Sequence, residues 1–288
     1  MRVLFRWLAA FSLCLVCFVI LVGFAGRLHP IADSIALLRM PLGIVCLLAL
    51  VFPMARVMRR IVGVAALVAL GTTLPLLLNW QQPGTLSLYS KNMLYRNGDL
   101  SSLAADIRES GAQVVTLQEV GTRNDALLAI LKDDYPHQHL CRFSGWSGVA
   151  VLSKTEFVAP AQCSGRRGAA AARIAVDGEA VWVTSVHLPW PYPYNHAESA
   201  DSVVAMLTAL DGPVVIGGDF NTFPWASSVR EIRQASDTRI AGPTRPTFNL
   251  YGAPLFLDHV YAPGGGTVSY RDFLGSDHLG VLARVSLS

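Results

Sequence analysis

Acidic side chains are almost absent from the first 82 residues, where Asp33 is the only one beside seven arginines. The rest of the chain has 16 Lys and Arg against 19 Asp and Glu, so the formal charges of the two parts are +6 and −3. The chain is 52% hydrophobic and only 15% charged, and most of the apolar excess precedes Gln82. These differences exclude a single domain of uniform composition. We predict two parts, residues 1–82 and 83–288.

Charge is also missing from two long runs in the first part. Trp7–Gly26 and Ile61–Trp80 each have 20 residues without a charged side chain, enough to cross a hydrocarbon core of about 30 Å as helices. A third helix over Ser34–Ala55 would span if the Arg39 side chain extended to the membrane interface. The alternative for the first run is a cleaved signal peptide, but the run exceeds the roughly 7–15 apolar residues of a signal core. We therefore predict about three transmembrane helices.

The arginines of the first part predict its orientation, because cytoplasmic loops and ends accumulate Lys and Arg. Arg2 and Arg6 place the N-terminus in the cytoplasm. Three spans then return Arg56, Arg59 and Arg60 to the same side and leave residues after Trp80 outside. We expect a multi-pass protein of a bacterial inner or plasma membrane with an extracytoplasmic second part.

The second part lacks several catalytic signatures. It has no Gly-x-x-x-x-Gly-Lys-Ser/Thr loop, no serine nucleophile elbow and no His-Glu-x-x-His, which argues against P-loop nucleotide hydrolysis, serine hydrolysis and zinc proteolysis. Cys14, Cys17 and Cys46 lie in apolar runs, so only Cys141 and Cys163 are outside them. An extracytoplasmic compartment permits a disulfide between these two, but their spacing does not show whether they lie close together.

Short apolar runs alternate with turn residues and two helical stretches after Gly84. The helical stretches are Leu100–Glu109 and His196–Leu210. The predicted strands are Leu86–Met93, Val114–Val120, Gly148–Lys154, Ala171–Asp177, Ala180–Leu188, Pro213–Asp219, Phe256–Ala262 and Gly280–Leu287. Near-continuously apolar strands mixed with helices indicate an α/β fold, in which helices cover the outer faces of two mixed β-sheets to form a four-layer sandwich.

Polar side chains fall where several of these strands end. They are Asn92, Glu119, His187, Asp219, Asn221, Asp258, Asp277 and His278. Each alone has an ordinary structural explanation as a turn residue, a solvated carboxylate or a hydrogen-bonded histidine at a sheet edge. Together they supply the hard oxygen ligands that Mg²⁺ and Mn²⁺ prefer, with histidines able to contact a phosphoryl oxygen. The set predicts metal-assisted phosphoryl chemistry.

Six motifs occur in an order that resembles the endonuclease/exonuclease/phosphatase superfamily. They are "KNMLY", "VVTLQEV", "SVHL", "GGDFN", "LDHVYA" and "GSDH", and the resemblance covers roughly Thr85 to Leu287. It implies a metal-dependent hydrolase acting on phosphoester bonds, with Mg²⁺ or Mn²⁺ as cofactor. Glu119 and Asp277 resemble its metal ligands, with Asn92 close to the same ion or its water.

The resemblance also implies catalytic roles. Asp219 and Asn221 are similar to the pair that aligns the attacking water and binds the phosphate. His187 and His278 resemble the two histidines that face the scissile phosphate, and Asp258 resembles the aspartate that orients His278. The sequence offers no evident acidic partner for His187.

Other side chains near these motifs have weaker links to function. His259 follows Asp258 on an alternating strand, so it should point to the opposite face and serve the fold. The segment "PWPYPYNHAES" places Trp190, Tyr192 and Tyr194 among three prolines just after His187, with His196 behind them. This segment is either a packed loop or an aromatic surface that contacts lipid headgroups or the apolar part of a substrate.

Three functions remain open at this point. The first is a membrane-anchored phosphoesterase whose partners are the lipid bilayer and a phosphate-containing, lipid-linked substrate; the second is an extracytoplasmic nuclease; the third is a binding module without activity. A nuclease is expected to have a basic face, whereas this part has a formal charge of −3. Charge and membrane placement favour the phosphoesterase. The sequence leaves monoester, diester and pyrophosphate substrates open.

Overall fold

The first part of the chain forms a small helical bundle. The computed structural model describes residues 2–288, and the side chains of Arg2 and Arg6, which enter the predicted orientation, lie outside the described part. The helices are α1 (Arg2–Val22), α2 (Ile31–Ala36), α3 (Arg39–Ala49) and α4 (Arg56–Leu77). Cys17, Cys46 and Ala69 are among the buried residues that hold α1, α3 and α4 together.

One helix of the described residues is long and apolar enough to cross a bilayer, namely α4 with 22 residues. It corresponds to the predicted third span, while the apolar part of α1 that passes the same composition test, Trp7–Val22, is shorter. By length alone, then, one spanning helix is supported rather than three, and this is weak evidence for membrane insertion.

The prediction of a continuous second span over Ser34–Ala55 is wrong. Helix α2 ends at Ala36, and α3 has 11 residues, which gives about 16 Å of rise. Arg39 does not extend to an interface, because its side chain is 4% exposed and donates hydrogen bonds to the carbonyl oxygens of Gly23 and Trp225. The Arg39 guanidinium, which we expected at the membrane interface, is instead hydrogen-bonded to backbone carbonyl groups inside the protein.

The second part contains two six-stranded mixed sheets flanked by helices, as predicted. The first sheet has the strand order β13-β14-β1-β2-β4-β3. Its strands are β1 (Leu86–Asn92), β2 (Val114–Val120), β3 (His137–Cys141), β4 (Gly148–Ser153), β13 (Gly266–Arg271) and β14 (Gly280–Val285). The second sheet has the strand order β5-β6-β7-β8-β12-β9. Its strands are β5 (Gln162–Cys163), β6 (Ala169–Val176), β7 (Glu179–His187), β8 (Val214–Asp219), β9 (Arg239–Ile240) and β12 (Asp258–Ala262). A hairpin of β10 (Phe248–Leu250) and β11 (Ala253–Leu255) stands apart.

The sheets pack face to face, and alternating side chains divide each strand between two layers. In β1, Leu86 and Leu88 join the core between the sheets, while Tyr89 joins the core beneath the outer helices. Helices α5 (Leu100–Ser110) and α6 (Ala126–Ile130) cover the first sheet. Helices α7 (His196–Ala209) and α8 (Ser227–Ala235) cover the second. The result is a helix, sheet, sheet, helix arrangement.

A disulfide joins Cys141 in β3 to Cys163 in β5, with 5.7 Å between their Cα atoms. Both strands are edge strands, one of each sheet. The bond therefore ties the two sheets together at one margin, which answers the question that the cysteine spacing left open.

Candidate active site

Parallel pairing brings the candidate side chains to one end of the two sheets. Strands β1 and β2 run parallel in the first sheet, and β7 and β8 run parallel in the second. Asn92 and His187 are the last residues of β1 and β7, and His187 pairs with Asp219 at the end of β8. Asp258 opens β12 directly opposite Asp219, because β12 runs antiparallel to β8. Strand register thus places these four side chains at one edge.

Asn92 connects the carboxylates of the two sheets. Its Nδ2 donates to Glu119 Oε1 at 3.2 Å and to Asp219 Oδ2 at 2.9 Å. Its Oδ1 accepts a hydrogen bond from the backbone N–H of Leu94 at 2.9 Å. In this orientation the amide oxygen is already used, so Asn92 acts on the carboxylates through its N–H groups.

Glu119 is aimed into the site by an irregularity in β2. The pairing with β4 shifts register between Gln118 and Val120, and Glu119 between them has φ of 56°, a conformation uncommon for residues other than glycine. Its Oε2 accepts from the backbone N–H of Tyr95 at 2.9 Å, and the side chain is 17% exposed. The bulge turns a strand position that would face a sheet layer toward the cleft.

Asp219 and Asn221 form a tight turn at the mouth of β8. Asp219 Oδ1 accepts from the backbone N–H of Asn221 at 2.8 Å, and Oδ2 accepts from Asn221 Nδ2 at 3.2 Å. Asn221 Nδ2 also donates to the carbonyl oxygen of Leu188, in the loop after His187. Burial raises the pKa of Asp219 to about 7, although positive charge at His278 opposes the shift. A carboxyl group with this pKa can exchange a proton near neutrality.

His278 is held by a buried carboxylate. Its Nδ1 lies 2.7 Å from Asp258 Oδ2, and its Nε2 lies 3.8 Å from Asp219 Oδ2. Burial of the ring opposes protonation, but the charges of Asp258 and Asp219 outweigh it and raise the pKa of His278 to about 10. Asp277, the preceding residue, has an exposed side chain whose charge acts in the same direction. His278 is therefore an imidazolium at neutral pH.

His187 has a different environment and no carboxylate within hydrogen-bonding distance among the described residues. Its Nε2 is 3.7 Å from Asp219 Oδ2 and 3.8 Å from Glu119 Oε1. The Arg167 guanidinium lies 3.3 Å from the same nitrogen. Burial, Arg167 and His278 lower the pKa of His187 well below its ordinary value, so the ring is neutral. The two histidines of the site thus hold opposite protonation states.

Arg167 is a residue of this site that the motifs did not identify. Its guanidinium stacks on Trp146 at 4.5 Å, and its Nε is buried without a hydrogen-bond partner in the described part of the chain. Tyr95 packs edge-on against Trp146, at 6.1 Å between ring centroids. The sequence did offer one signal, since Arg166-Arg167 is the only pair of adjacent cationic residues after Gln82. Arg166 itself points away and pairs with Glu198.

Lys91 is the first residue of the "KNMLY" motif, but the sequence analysis assigns it no role. Its Nζ donates to the carbonyl oxygens of Asp272, Phe273 and His278, at 3.0, 2.8 and 2.6 Å. Burial lowers the pKa of Lys91 to about 8. Lys91 holds the segment that carries Asp277 and His278 against β1, and so positions that segment without reaching the cleft.

The remaining histidines near the motifs serve the fold. His259 is buried, packs against Phe220 and lies 3.3 Å from the carbonyl oxygen of Thr222. His196 is buried between the Pro189 carbonyl oxygen, at 2.7 Å, and Ser228 Oγ, at 3.0 Å. Neither ring joins the Asp219, Asp258 and His278 group.

The aromatic loop after His187 has two faces. Trp190 is half-buried against Phe248, whose ring lies 4.7 Å from that of His278. Tyr192 and Tyr194 are 49% and 63% exposed. Tyr192 also lies 5.8 Å from the His29 ring, in the connection between α1 and α2. The loop therefore links the cleft to the helical bundle.

The donor atoms of this cleft fit a divalent cation of the Mg²⁺ or Mn²⁺ type. Glu119, Asp219 and Asp258 supply carboxylate oxygens, and Asp258 Oδ1 is buried without a hydrogen-bond partner among the described residues. Ligand atoms of Asp219, Asp258 and His278 all lie within 4.8 Å of one another. Asp277 precedes His278 in the chain, and its exposed carboxylate acts on His278 through its charge. These are hard oxygen ligands, and no thiolate of the described residues competes with them in the cleft.

Comparisons with solved structures find proteins of the same fold. A protein from Leptotrichia buccalis C-1013-b, described as of the endonuclease/exonuclease/phosphatase family, superposes with a TM-score of 0.57 and 17% identity over 70% of this chain and 100% of its own. D. rerio TDP2 complexed with single strand DNA product gives 0.55 and 16% over 69% and 97%. Beta toxin from Staphylococcus aureus with bound magnesium ions gives 0.50 and 18% over 70% and 100%.

These likenesses are at low identity and show the fold. A search of the curated proteins found no match. The family model of the Endonuclease/Exonuclease/phosphatase family, however, matches residues 89–278, which include every candidate side chain from Asn92 to His278. The chain therefore belongs to the Endonuclease/Exonuclease/phosphatase family and is a metal-dependent hydrolase of phosphoester bonds.

Proposed function

We propose that this protein is a membrane-anchored phosphoesterase that hydrolyses a lipid-linked phosphate ester outside the cytoplasm. The observation that carries the proposal is the contact between the helical bundle and the loops of the cleft. Leu37 and Met40 of the bundle pack in one apolar cluster with Trp190 and Phe248, and Phe248 stacks on His278. A substrate with an apolar tail and a phosphate head would find apolar side chains of this cluster for its tail and His278 for its phosphate.

The side chains of the cleft divide the chemistry among them. A divalent ion, Mg²⁺ or Mn²⁺, held by Glu119 and Asp277 would neutralise phosphate charge and polarise the scissile bond. Asn92 holds Glu119 in place through the hydrogen bond from its Nδ2. Asp219 would take a proton from the attacking water, and Asn221, which donates two hydrogen bonds to Asp219, would help to align that water.

The two histidines that would contact the phosphoryl group have different protonation states. Protonated His278, held by Asp258, donates a hydrogen bond from Nε2 to a phosphoryl oxygen. Neutral His187 lies beside it, with Arg167 supplying the positive charge on its side of the cleft. Two cations thus face the developing negative charge, and each is fixed before substrate arrives.

The placement of charge supports an extracytoplasmic site. Arg56, Arg59 and Arg60 lie at the start of α4, and its C-terminal end joins the catalytic part through a few residues before β1. If α4 spans, with α1 and α3 packed along it, the arginines remain in the cytoplasm and residues 83–288 lie outside. The disulfide between Cys141 and Cys163 fits that oxidising location. We propose the inner or plasma membrane of a bacterium as the site of anchoring.

A nuclease is the second candidate, and one observation favours it. Tyr95 and Trp146 are both more than one third exposed and stand beside Arg167 at the edge of the cleft. Aromatic rings next to an arginine are suited to stacking on nucleobases. The formal charge of −3 after Gln82 weighs against it, since phosphate backbones draw affinity from basic surfaces.

The experiment compares substrate classes with the full chain purified in detergent. Release of product from phospholipids, a polyprenyl pyrophosphate and short single-stranded DNA is measured with Mg²⁺, with Mn²⁺ and after chelation. The proposal expects metal-dependent turnover of a lipid phosphoester that Asp219→Ala reduces by about a hundredfold or more. Turnover confined to DNA would replace the proposal with the nuclease, and turnover unaffected by chelation would contradict both.

A further inference from the structure

The connection between α1 and α3 contacts the segment that follows Asp219 and Asn221. Asp33 in α2 is 5% exposed, and both its oxygens are used. Oδ1 accepts from the backbone N–H of Ser227 at 2.7 Å, and Oδ2 accepts from that of Ser228 at 2.9 Å. These are the first two residues of α8. A carboxylate of the helical bundle therefore caps a helix of the catalytic part.

A second set of contacts fixes the residues just before α8. Arg39 Nη1 donates to the carbonyl oxygen of Trp225 at 3.2 Å, and Trp225 Nε1 donates to the carbonyl oxygen of Ala36 at 2.7 Å. Phe223 packs against Trp225 with 4.9 Å between ring centroids. The path from Asn221 to Ser228 is thus held by the bundle at Trp225, Ser227 and Ser228.

The same contacts reach the loop that follows His187. Ser228 Oγ lies 3.0 Å from His196 Nε2, and His196 Nδ1 lies 2.7 Å from the Pro189 carbonyl oxygen. Asn221 Nδ2 donates to the Leu188 carbonyl oxygen at 2.9 Å, so the two loops are also joined directly. Asp33 stands at one end of this connected set of buried polar groups, and the residues beside His187 and Asp219 stand at the other.

The loop that Asp33 supports has a conformation that needs support. Asn221 has φ of 50°, in the left-handed region that asparagine tolerates but most other residues do not, so the backbone turns sharply there. Asp219 and Asn221 must keep their mutual hydrogen bonds while facing the cleft. Small displacements of groups that align a reacting water reduce turnover strongly.

We propose that Asp33 is a positioning residue of the active site, so that the helical bundle is a part of the catalytic unit as well as an anchor. The proposal rests on the phosphoester hydrolysis of the family and goes beyond the proposed function. Asp33 acts through the backbone of Ser227 and Ser228 on the loop that carries Asp219 and Asn221. It touches neither substrate nor metal.

The test uses the full chain in detergent with a soluble phosphodiester, bis-p-nitrophenyl phosphate, at saturating Mn²⁺. Asp33→Ala is compared with Arg27→Ala, a control in the same connection whose side chain pairs with Glu231 and is 61% exposed. Turnover is expressed per folded molecule. We expect Asp33→Ala to lower kcat by about tenfold or more, with KM and the Mn²⁺ half-saturation changed by less than about twofold. Asp33→Asn keeps one acceptor oxygen and should restore part of kcat, while Arg27→Ala should match the wild type.

A milder variant covers the case in which Asp33→Ala does not fold. Trp225→Phe retains an aromatic ring but removes the N–H that donates to Ala36, and it should lower kcat with the same unchanged KM. If either variant loses thermal stability while kcat per folded molecule stays at the wild-type value, Asp33 and its contacts serve the fold alone and the proposal is overturned. An inactive wild-type chain on every phosphoester would instead contradict the assigned hydrolysis, so the two failures are distinguishable.

Discussion

The His278 imidazole is charged because of its neighbours, since burial alone would favour the neutral ring. Asp258 and Asp219 raise the pKa of His278 to about 10, while burial raises the pKa of Asp219 to about 7. Activity that needs a deprotonated Asp219 and a protonated His278 should rise through pH 7 and fall near pH 10. The His278 shift also stabilises the fold below pH 6.5, and this contribution is lost as the pH rises through the folded pKa.

Replacing Asp258 tests this balance directly. Asp258→Asn keeps a hydrogen-bond acceptor but removes the charge, so burial of the ring should bring the pKa of His278 down from its raised value. The alkaline limb of the pH profile of kcat/KM should move down with it. His259→Ala, on the opposite face of β12, is the control and should leave that limb in place. An alkaline limb that does not move in Asp258→Asn would show that His278 does not set it.

Arg167 and Arg166 offer a matched pair of neighbouring cations. Arg167 lies in the cleft beside His187, whereas Arg166 pairs with Glu198 at the surface. A charge-assisted contact to phosphate contributes about 1.5–3 kcal/mol, so Arg167→Ala should lower kcat/KM by about ten- to a hundredfold. Arg166→Ala should change it by less than about twofold, because exposed ion pairs contribute little. Equal effects of the two substitutions in steady-state assays would remove Arg167 from the site.

The residues of the site differ in how far the sequence could identify them. Glu119, Asp219 and His278 lie in local motifs, so their placement at strand ends could be predicted. Arg167 could not be assigned, because its position depends on Trp146 and His187, which are distant in the sequence. Lys91 was missed for the same reason, since its three acceptors belong to residues 272–278.

At the scale of elements, the loop between β7 and α7 carries one aromatic side chain that packs near the cleft and two that are exposed. Trp190 packs on Phe248 and supports the ring of His278, so replacing it would disturb the cleft itself. Tyr192 and Tyr194 are exposed and can be changed without that effect. Aromatic rings of this kind favour the membrane interface.

The double substitution Tyr192→Ser and Tyr194→Ser should separate the two roles of the loop. We expect hydrolysis of a bilayer-embedded phosphoester to fall by about tenfold, because each ring contributes up to about 1 kcal/mol of interfacial contact. Hydrolysis of a soluble phosphodiester by the same preparation should not change. The measurement is the ratio of the two rates in vesicles. A ratio equal to that of the wild type would show that these rings do not contact the bilayer.

The strands that sequence patterns predicted are those with continuous apolar character. β1, β2, β4, β7 and β8 carry buried Val and Leu runs, and each was predicted within a few residues. β3 and β13 were missed, because they lie at sheet edges and their residues are only partly buried. The second predicted span failed for another reason. Its arginine found carbonyl partners in a part of the chain that no local pattern reveals.

At the scale of the whole molecule, the proposed orientation in the membrane rests on the direction of α4 in the helical bundle. The junction with the catalytic part is at the C-terminal end of α4, and Arg56, Arg59 and Arg60 are at its other end. A reporter that is active only outside the cytoplasm should therefore work when fused after Ser288. Moving the charge, by Arg56→Glu, Arg59→Glu and Arg60→Glu together, should reduce that signal. A fusion active only in the cytoplasm would reverse the proposed orientation.

The most direct measurement is a competition assay in which the enzyme is given both candidate substrates in one reaction. The full chain is reconstituted in vesicles that contain a lipid-linked phosphoester, with short single-stranded DNA outside at equal phosphate concentration and Mg²⁺ present. We expect lipid turnover to exceed DNA turnover by about tenfold or more, since the proposed anchor would hold the cleft near the bilayer phosphates at high effective concentration. Asp219→Ala should abolish both. DNA turnover that equals or exceeds lipid turnover would contradict the account and identify the protein as a nuclease.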